Sequence, residues 1–279
     1  MRIEVLMADQ AEAGYRASHG LSLFIQAGGR RILFDAGPDG GFADNARALG
    51  IDLTRLDAVV LSHGHDDHGG GLARLRAIHP TVPIYLRPGA TAPHAARRAG
   101  GRLDCLALPA ACRRLPGLRL TAAEQAIGPG LILFSIPLAA PPPDSPMRAA
   151  GDRPDDFAHE QHLLILDEGG PVLVTGCAHQ GILAILARAR ALAGGPLGAA
   201  VGGFHLASPR ERLRDPEALT ALAETLAAQP THYLTGHCTA PAAYAALAET
   251  LAGRIHPLRA GAGIIIEGGN IHAENRSRL

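Results

Sequence analysis

Lysine is absent from this chain of 279 residues, so all 26 basic residues are arginine. This absence excludes catalysis through a lysine Schiff base and phosphate binding through a P-loop lysine. Cysteine is scarce as well. Four cysteines without a Cys-x-x-Cys pair do not make a disulfide framework in a chain of this length. The cysteine content therefore favours a reducing, cytoplasmic setting.

Long hydrophobic runs and an excess of one charge are also missing. No apolar stretch reaches the roughly 18 residues of a membrane helix. Acidic residues, Glu4 and Asp9, stand where a signal peptide needs an apolar core. The 26 acidic residues balance the 26 basic ones, so no field for binding nucleic acid is indicated. We expect a cytoplasmic protein that contacts neither nucleic acid nor a membrane.

Apolar residues make up 47% of the chain and fall into short runs of strand or helix character. The predicted strands are Ile3–Ala8, Leu21–Gln26, Arg31–Phe34, Ala58–Leu61, Pro83–Leu86, Arg119–Thr121, Leu131–Ile136, Leu163–Leu166, Val172–Thr175, Gly198–Gly202, His232–Thr235 and Gly263–Glu267. The predicted helices are Phe42–Leu49, Gly71–Ile78, Thr91–Arg98, Ile182–Ala193, Pro216–Ala227 and Ala240–Leu251. This alternation predicts one layered α/β domain over residues 1–279, with helices covering the sheet faces.

Two segments do not fit this rhythm. Residues 137–157 are rich in Pro, Ala and Asp and show no periodicity. They form either a linker or a lid, and we favour a lid because long loops within compact domains often close over binding sites. The polar tail, residues 273–279, is expected to fray.

The most informative segment is Leu61-Ser62-His63-Gly64-His65-Asp66-Asp67-His68, which directly follows a predicted buried strand. Imidazoles and carboxylates at a strand end cost several kcal/mol unless something satisfies them, and a divalent metal is the usual partner. His63, His65, Asp67 and His68 are therefore candidate metal ligands.

Further candidate ligands follow later predicted strands. Cys177 and His179 follow Val172–Thr175, His205 follows Gly198–Gly202, and His237 with Cys238 follows His232–Thr235. Ligands of open α/β sheets gather at such carboxyl ends. We therefore expect one site assembled from both halves of the chain.

These residues resemble a known family. Asp35 in Leu33-Phe34-Asp35-Ala36-Gly37, the His63-x-His65-x-Asp67-His68 run and the later His179 and His237 are similar to the metallo-β-lactamase superfamily pattern. Within it, Gly176-Cys177-Ala178-His179, Gly202-Gly203-Phe204-His205-Leu206 and Gly236-His237-Cys238-Thr239 resemble the branch of dihydropterin-linked ribofuranosylaminobenzene 5′-phosphate synthase-like proteins. The Glu160-Gln161 pair also fits that branch. The resemblance covers about residues 3 to 267.

The resemblance implies a four-layer αββα sandwich with two divalent cations at the seam between its halves. His63, His65 and His179 would bind the first cation, and Asp67, His68 and His237 the second. Cys177 stands where the family usually has a bridging carboxylate. It is either a thiolate ligand, which would favour zinc over manganese or iron, or an inert buried thiol. Nickel is a further candidate metal.

Other residues near this pattern have open roles. Asp35 is expected to orient the histidine loop by hydrogen bonds rather than to bind metal. His205 either faces substrate or is structural, and the same alternative holds for His159 and His162. The remaining cysteines, Cys105 and Cys112, are expected to be inert. Five histidines are expected to be ordinary surface or loop residues: His19, His79, His94, His256 and His272.

The expected activity is hydrolysis of a small ester, lactone, thioester or phosphodiester by a metal-bridged hydroxide. Asp67 would orient the hydroxide and accept a proton, and His205 is the second candidate catalytic residue. An anionic substrate could be held by Arg97 and Arg98, or by Arg148 and Arg153, although solvation is the simpler role for each of these arginines. The alternatives are a phosphoribosyl-type transferase or synthase of pterin metabolism and a non-hydrolytic redox metal module.

Overall fold

The computed structural model describes residues 1–137, 140–141, 145–206, 215–267 and 270–274. The described residues form three sheets and six α-helices. The helices are α1 (Gly41–Ala48), α2 (Asp66–Gly69), α3 (Leu72–Ile78), α4 (Ile182–Ala193), α5 (Pro216–Ala227) and α6 (Pro241–Thr250). Over these residues no helix combines the length and the apolar character needed to cross a bilayer.

Two large sheets form the middle of the molecule. The first contains β1 (Arg2–Met7), β2 (Ser22–Ala27), β3 (Arg30–Phe34), β4 (Ala58–Val60), β5 (Ile84–Leu86), β8 (Leu118–Leu120), β18 (Gly263–Glu267) and β19 (Asn270–Glu274). The second contains β9 (Glu124–Gly128), β10 (Leu131–Phe134), β13 (His162–Asp167), β14 (Gly170–Val174), β15 (Ala199–Gly202), β16 (His232–Thr235) and β17 (Ile255–Pro257). The strand order is β19-β18-β1-β2-β3-β4-β5-β8 in the first sheet and β17-β16-β15-β14-β13-β10-β9 in the second.

Both sheets are apolar on both faces, because successive side chains of a strand point to opposite sides. In β3, Ile32 and Phe34 pack into the core between the sheets, while Leu33 packs outward against α1 and α3. In β13, Leu163 belongs to the central core and Leu164 to the outer layer beneath α4, α5 and α6. The layers are therefore helix, sheet, sheet and helix, which confirms the expected αββα sandwich.

A third, four-stranded sheet lies outside this sandwich. Its strands are β6 (Ala95–Arg97), β7 (Leu103–Cys105), β11 (Met147–Ala149) and β12 (Arg153–Pro154), in the order β12-β11-β6-β7. We call this sheet the cap. An isolated bridge pairs His65 with Ala107, and the Asp66 N–H donates to the Leu106 carbonyl at 2.8 Å. These contacts attach the chain that follows the cap strand β7 to the loop that carries the first candidate ligands.

The cap corrects one expectation and adds two strands to a segment in which none was predicted. The helix predicted over Thr91–Arg98 is wrong, because β6 occupies its end and pairs with β7 and β11. Pro93 and the Gly100-Gly101 turn leave too little chain for a helix. The segment 137–157 has no periodicity of its own, yet it contains β11 and β12; its residues 138–139 and 142–144 lie outside the description.

Residues 273–279 were expected to fray, and the structure describes only the first two of them. Residues 273 and 274 belong to β19, which pairs with β18, so the strand extends further than the sequence indicated. Residues 275–279 lie outside the described part of the chain.

Candidate metal centre

The candidate ligands lie where the carboxyl ends of parallel strands meet. Strands β3, β4 and β5 are parallel in the first sheet, and β14, β15 and β16 are parallel in the second. The loops after β4, β14, β15 and β16 therefore open at the same seam. At this seam a Cβ on Gly176 would lie 2.2 Å from the Ser62 Oγ, so glycine allows the two halves to approach.

Three histidines form one group, which we call the first triad: His63, His65 and His179. The His63 Nε2 lies 3.1 Å from the His65 Nδ1, and one ring nitrogen of each residue lies within 4.8 Å of the others. The His179 ring stacks on Phe157 at a centroid distance of 4.3 Å. Both buried ring nitrogens of His179 have no hydrogen-bond partner among the described residues. Such orphaned nitrogens are costly unless a ligand satisfies them.

Asp67, His68 and His237 form a second group, which we call the second triad. The Nε2 atoms of His68 and His237 lie 3.2 Å apart. The Asp67 Oδ2 lies 3.4 Å from the His237 Nε2 and 3.7 Å from the His68 Nε2. One carboxylate oxygen and two imidazole nitrogens thus converge on one point.

Carboxylates set the tautomers of the second triad. The His68 Nδ1 donates to the Asp35 Oδ2 at 2.7 Å, and the His237 Nδ1 donates to the Asp9 Oδ1 at 2.7 Å. Nε2 is therefore the nitrogen of each ring that faces the centre. Asp35 also accepts from the backbone N–H and the hydroxyl of Ser62, both at 2.7 Å. These hydrogen bonds are those expected of Asp35 from the sequence.

The first triad is supported by a hydroxyl and by one buried carboxyl. The Ser62 hydroxyl, which donates to Asp35, lies 2.8 Å from the His63 Nδ1, so His63 donates to it and keeps Nε2 for the centre. The backbone N–H groups of His179 and Gln180 donate to the buried Glu160 carboxyl at 3.0 and 2.9 Å. Burial raises the pKa of Glu160 to about 7.

Two cysteines, which we call the thiol pair, lie at the same place: Cys177 and Cys238. The Cys177 Sγ lies 3.1 Å from the His68 Nε2 and within 4.8 Å of a ring nitrogen of His63, so it stands between the two triads. Burial raises the pKa of the Cys177 thiol. Burial opposes ionisation of Cys238 too, but hydrogen bonds from Cys177 and His205 lower the pKa of its thiol.

The two triads differ in charge. Burial holds the pKa values of His63, His65 and His179 well below the usual value for histidine, so these rings are neutral. Burial opposes protonation of His68 and His237, but neighbouring carboxylates outweigh it and raise both pKa values. Burial likewise opposes ionisation of Asp67, yet nearby His68 and His237 lower its pKa. The second triad thus pairs an ionised carboxylate with imidazoles whose protonation the neighbouring carboxylates favour, whereas the first triad contains only neutral imidazoles.

The donor set fits divalent cations. Imidazole nitrogens, a carboxylate and a thiol converge within a few ångströms, and the unpartnered His179 nitrogens point to a missing electrophile. Four loop residues hold left-handed backbone conformations, with φ of 59° at Asp35, 57° at Ala178, 48° at His205 and 51° at His237. Such strain persists where the surrounding structure fixes it, and it is concentrated at functional sites.

The remaining histidines separate into structural and cavity-facing residues. His159 accepts from the Gly64 N–H at 3.0 Å and donates to Asp155, so neither of its ring nitrogens is available to a metal. His162 is hydrogen-bonded to Thr175 and Gln180. His205 lies against His179, with ring centroids 4.1 Å apart, and lines the cavity described below.

Two histidines expected to be ordinary belong to this region. His19 binds Asp9 through Nδ1 at 2.8 Å, and its Nε2 lies 3.5 Å from the Asp67 Oδ2. His94 is buried and donates to Asp155 at 2.9 Å. Asp9 follows the predicted strand Ile3–Ala8, but Asp9 and His19 were missed because both lie far in sequence from the histidine run. Asp9 is 228 residues from its partner His237.

A cavity of about 1040 Å³ opens above the centre. Its floor contains ligand candidates from both triads and the thiol pair, and part of its wall comes from the cap. Among the cap residues, Arg98 and Arg102 both contact Asp104 at 2.9 Å, and Leu103 is exposed. The cavity is large enough for a small molecule.

Comparisons with known proteins agree with this geometry. The model of the metallo-β-lactamase superfamily matches residues 15–205. The chain is 27% identical over 278 residues to 7,8-dihydropterin-6-methyl-4-(β-D-ribofuranosyl)-aminobenzene-5′-phosphate synthase of Methanocaldococcus jannaschii, covering 85% of this chain and 87% of that protein.

Solved structures show the same architecture. A metal-dependent hydrolase of the β-lactamase superfamily superimposes with a TM-score of 0.81 at 26% identity, covering 96% of this chain and 99% of that one. Zn²⁺-bound PqqB from Methylobacterium extorquens shares the fold, with a TM-score of 0.56 at 17% identity over 95% of this chain and all of that one. Because the family model covers more than half of the sequence, this chain belongs to the metallo-β-lactamase superfamily.

Proposed function

We propose that this protein is a metal-dependent hydrolase of a small ester, lactone, thioester or phosphodiester. The observation that carries the proposal is the convergence of the two triads on the floor of one cavity, with both His179 nitrogens unpartnered among the described residues. A purely structural role would leave these buried nitrogens unsatisfied.

In this proposal the two triads hold two divalent cations, for which zinc is the best fit to imidazole, carboxylate and thiolate donors. When bound, such cations lower the pKa of water and polarise the carbonyl or phosphoryl group of a substrate. His63, His65 and His179 are the residues for the first cation, and Asp67, His68 and His237 for the second. Cys177 is placed to contact both.

The chain's own residues supply the other parts of the reaction. Asp67 lines the cavity and, as an ionised carboxylate, can orient the attacking water and take up its proton. His205 lines the same cavity beside His179, where it can contact the substrate. The substrate is a small molecule, and Arg98 and Arg102 of the cavity wall are placed to attract an anionic group.

The test is a panel of esters, lactones, thioesters and phosphodiesters assayed with the metal-replete protein, combined with elemental analysis. His63→Ala and Asp67→Ala should each abolish metal-dependent turnover while the circular dichroism spectrum of the fold persists. His272→Ala is the matched control, because this exposed histidine lies in β19 at the edge of the first sheet. Full activity in both site variants would overturn the proposal.

A second candidate is a phosphoribosyl-type synthase of pterin metabolism, which the 27% identical relative favours. In that case the triads would hold cations that bind a pyrophosphate leaving group. Incubation with a phosphoribosyl donor and a pterin-pathway acceptor, followed by product analysis, separates the two candidates. Pyrophosphate release coupled to a new bond between donor and acceptor supports the synthase, whereas turnover of the hydrolase panel alone supports hydrolysis. A metal-loaded protein inert in both assays, with redox-active iron, would instead indicate a non-hydrolytic redox module.

A further inference from the structure

The thiol pair brings two of the four cysteines together from distant parts of the sequence. Cys177 follows β14 and Cys238 follows β16, and the intervening parallel strand β15 ends near Gly203. A Cβ on Gly203 would lie 2.4 Å from the Cys238 Sγ and 3.6 Å from the Cys177 Cα. Glycine at this position therefore leaves the space in which the two cysteines approach each other.

The sulfur atoms are close and face the same space. The two Sγ atoms and a ring nitrogen of His237 lie within 4.8 Å of one another, and the Cys238 Sγ is 3.5 Å from the Cys177 carbonyl oxygen. All four cysteines are free thiols. Because the two sulfur atoms lie within 4.8 Å of each other, we infer that Cys177 and Cys238 are a site of reversible oxidation, which a peroxide converts into a disulfide.

The surroundings favour this reaction over oxidation elsewhere. Each of these two side chains is only 3% exposed, yet both line the cavity, so a small oxidant can reach them while a protein thiol cannot. The His205 backbone N–H donates to the Cys238 Sγ at 3.2 Å. An amide hydrogen bond to sulfur stabilises the thiolate, which is the form that reacts with peroxide.

The reaction is balanced by the peroxide alone. The Cys238 thiolate attacks one peroxide oxygen, the O–O bond breaks, and a sulfenic acid and hydroxide form. The Cys177 sulfur then attacks the sulfenic sulfur, so that an S–S bond forms and the S–O bond breaks. The leaving hydroxyl departs as water with the thiol proton. In sum, two thiols and one peroxide give one disulfide and two waters.

The oxidation has a consequence for the metal centre. Cys177 stands between the triads, 3.1 Å from the His68 Nε2, and a disulfide would tie its sulfur to Cys238. Metal loading and disulfide formation therefore compete for the same sulfur atom. This inference goes beyond the proposed function, since it requires no particular substrate.

The test uses the metal-free full-length chain treated with one equivalent of hydrogen peroxide. We expect a mass lower by two hydrogens, two alkylatable cysteines after denaturation instead of four, and a linked peptide pair containing Cys177 and Cys238. Dithiothreitol should restore four thiols. Metal loading before treatment should slow the loss of thiols at least tenfold, which thiol counting measures without any activity assay.

Two serine variants provide the controls. Cys238→Ser should gain oxygen at Cys177 rather than lose two hydrogens, because the disulfide partner is gone. Cys105→Ser should behave as the wild type, since that exposed cysteine belongs to the cap. Four alkylatable thiols after treatment of the wild type, or a disulfide that includes Cys105 or Cys112, would overturn the inference.

Discussion

The two triads differ more in their supports than in their donors. Each contains at least two imidazoles, but the imidazoles of the second triad are hydrogen-bonded to the carboxylates of Asp35 and Asp9. The first triad rests on the Ser62 hydroxyl, the Phe157 ring and the Glu160 carboxyl, which accepts from backbone amides and not from an imidazole. The first triad is therefore uncharged and the His179 ring nitrogens have no partner among the described residues, whereas the carboxylates keep the second triad partly satisfied without metal. The difference predicts that removing a ligand from either triad weakens metal binding. Only a removal from the second triad should also lower the stability of the metal-free fold.

The largest expected effect comes from a matched pair of ligand deletions. His68→Ala and His179→Ala should each lower turnover by about 10³-fold, the equivalent of several kcal/mol. In the metal-free state, His68→Ala should lower the free energy of unfolding by about 1–3 kcal/mol more than His179→Ala does, because it leaves the buried Asp35 without an imidazole. Denaturant unfolding of the two metal-free variants measures the difference. Equal free energies of unfolding would contradict the contrast between the supports.

The next effect concerns His162, which is hydrogen-bonded to Gln180, the residue after His179, and its dependence on pH. Burial lowers the pKa of His162 to about 4 from the ordinary 6.5. Between these values the unfolded chain binds more protons than the folded chain, so stability falls as the pH drops from 6.5 to 4. The loss from His162 is about 3 kcal/mol.

The check for His162 is a pair of titrations of the free energy of unfolding against pH. The His162→Gln variant of the metal-free protein should lose less stability than the wild type on acidification, because glutamine does not titrate. Parallel curves for the two proteins between pH 6.5 and 4 would show that burial does not keep His162 neutral in the folded protein.

The smallest expected effect separates the two carboxylates that support the second triad. Asp35→Asn should weaken metal binding at the second triad by about 100-fold, and Asp9→Asn by about tenfold. Asp35 is fully buried and serves both Ser62 and His68, whereas the Asp9 side chain is 27% exposed. Competition with a chromophoric chelator measures both affinities. A larger loss for Asp9→Asn would reverse the order of importance assigned to the two supports.

Much of the sandwich could be read from the sequence because its strands are apolar on both faces. The largely apolar runs Arg31–Phe34 and Leu163–Leu166 predict strands without any knowledge of the neighbouring strands. The cap was not recognised because its strands are two or three residues long, and because the pairing that joins its two hairpins spans about 50 positions, as between Met147 and Ala96. Short strands of this kind gain their stability from partners rather than from local preference.

The candidate site also contains residues that the sequence predicts and residues that only the structure brings to it. His63, His65, Asp67 and His68 were visible because they are neighbours in sequence and too polar for a buried strand end. His179 and His237 were assigned to cations through the family resemblance, and the structure brings them beside the histidine run. His19 gave no signal, since a lone histidine in a loop is ordinary until Asp9 and Asp67 are placed beside it.

By itself the sequence determined the kinds of donor atom and the loops that carry them, because ligand chemistry and strand patterning are written in residue types and short spacings. The tertiary structure decided which nitrogen of each histidine faces the centre, which triad is charged and that Cys177 meets Cys238. Apart from the contact of Ser62 with His63, these properties depend on contacts across 33 to 228 residues, between segments that become neighbours only in the folded protein. Local patterns carry no information about such contacts.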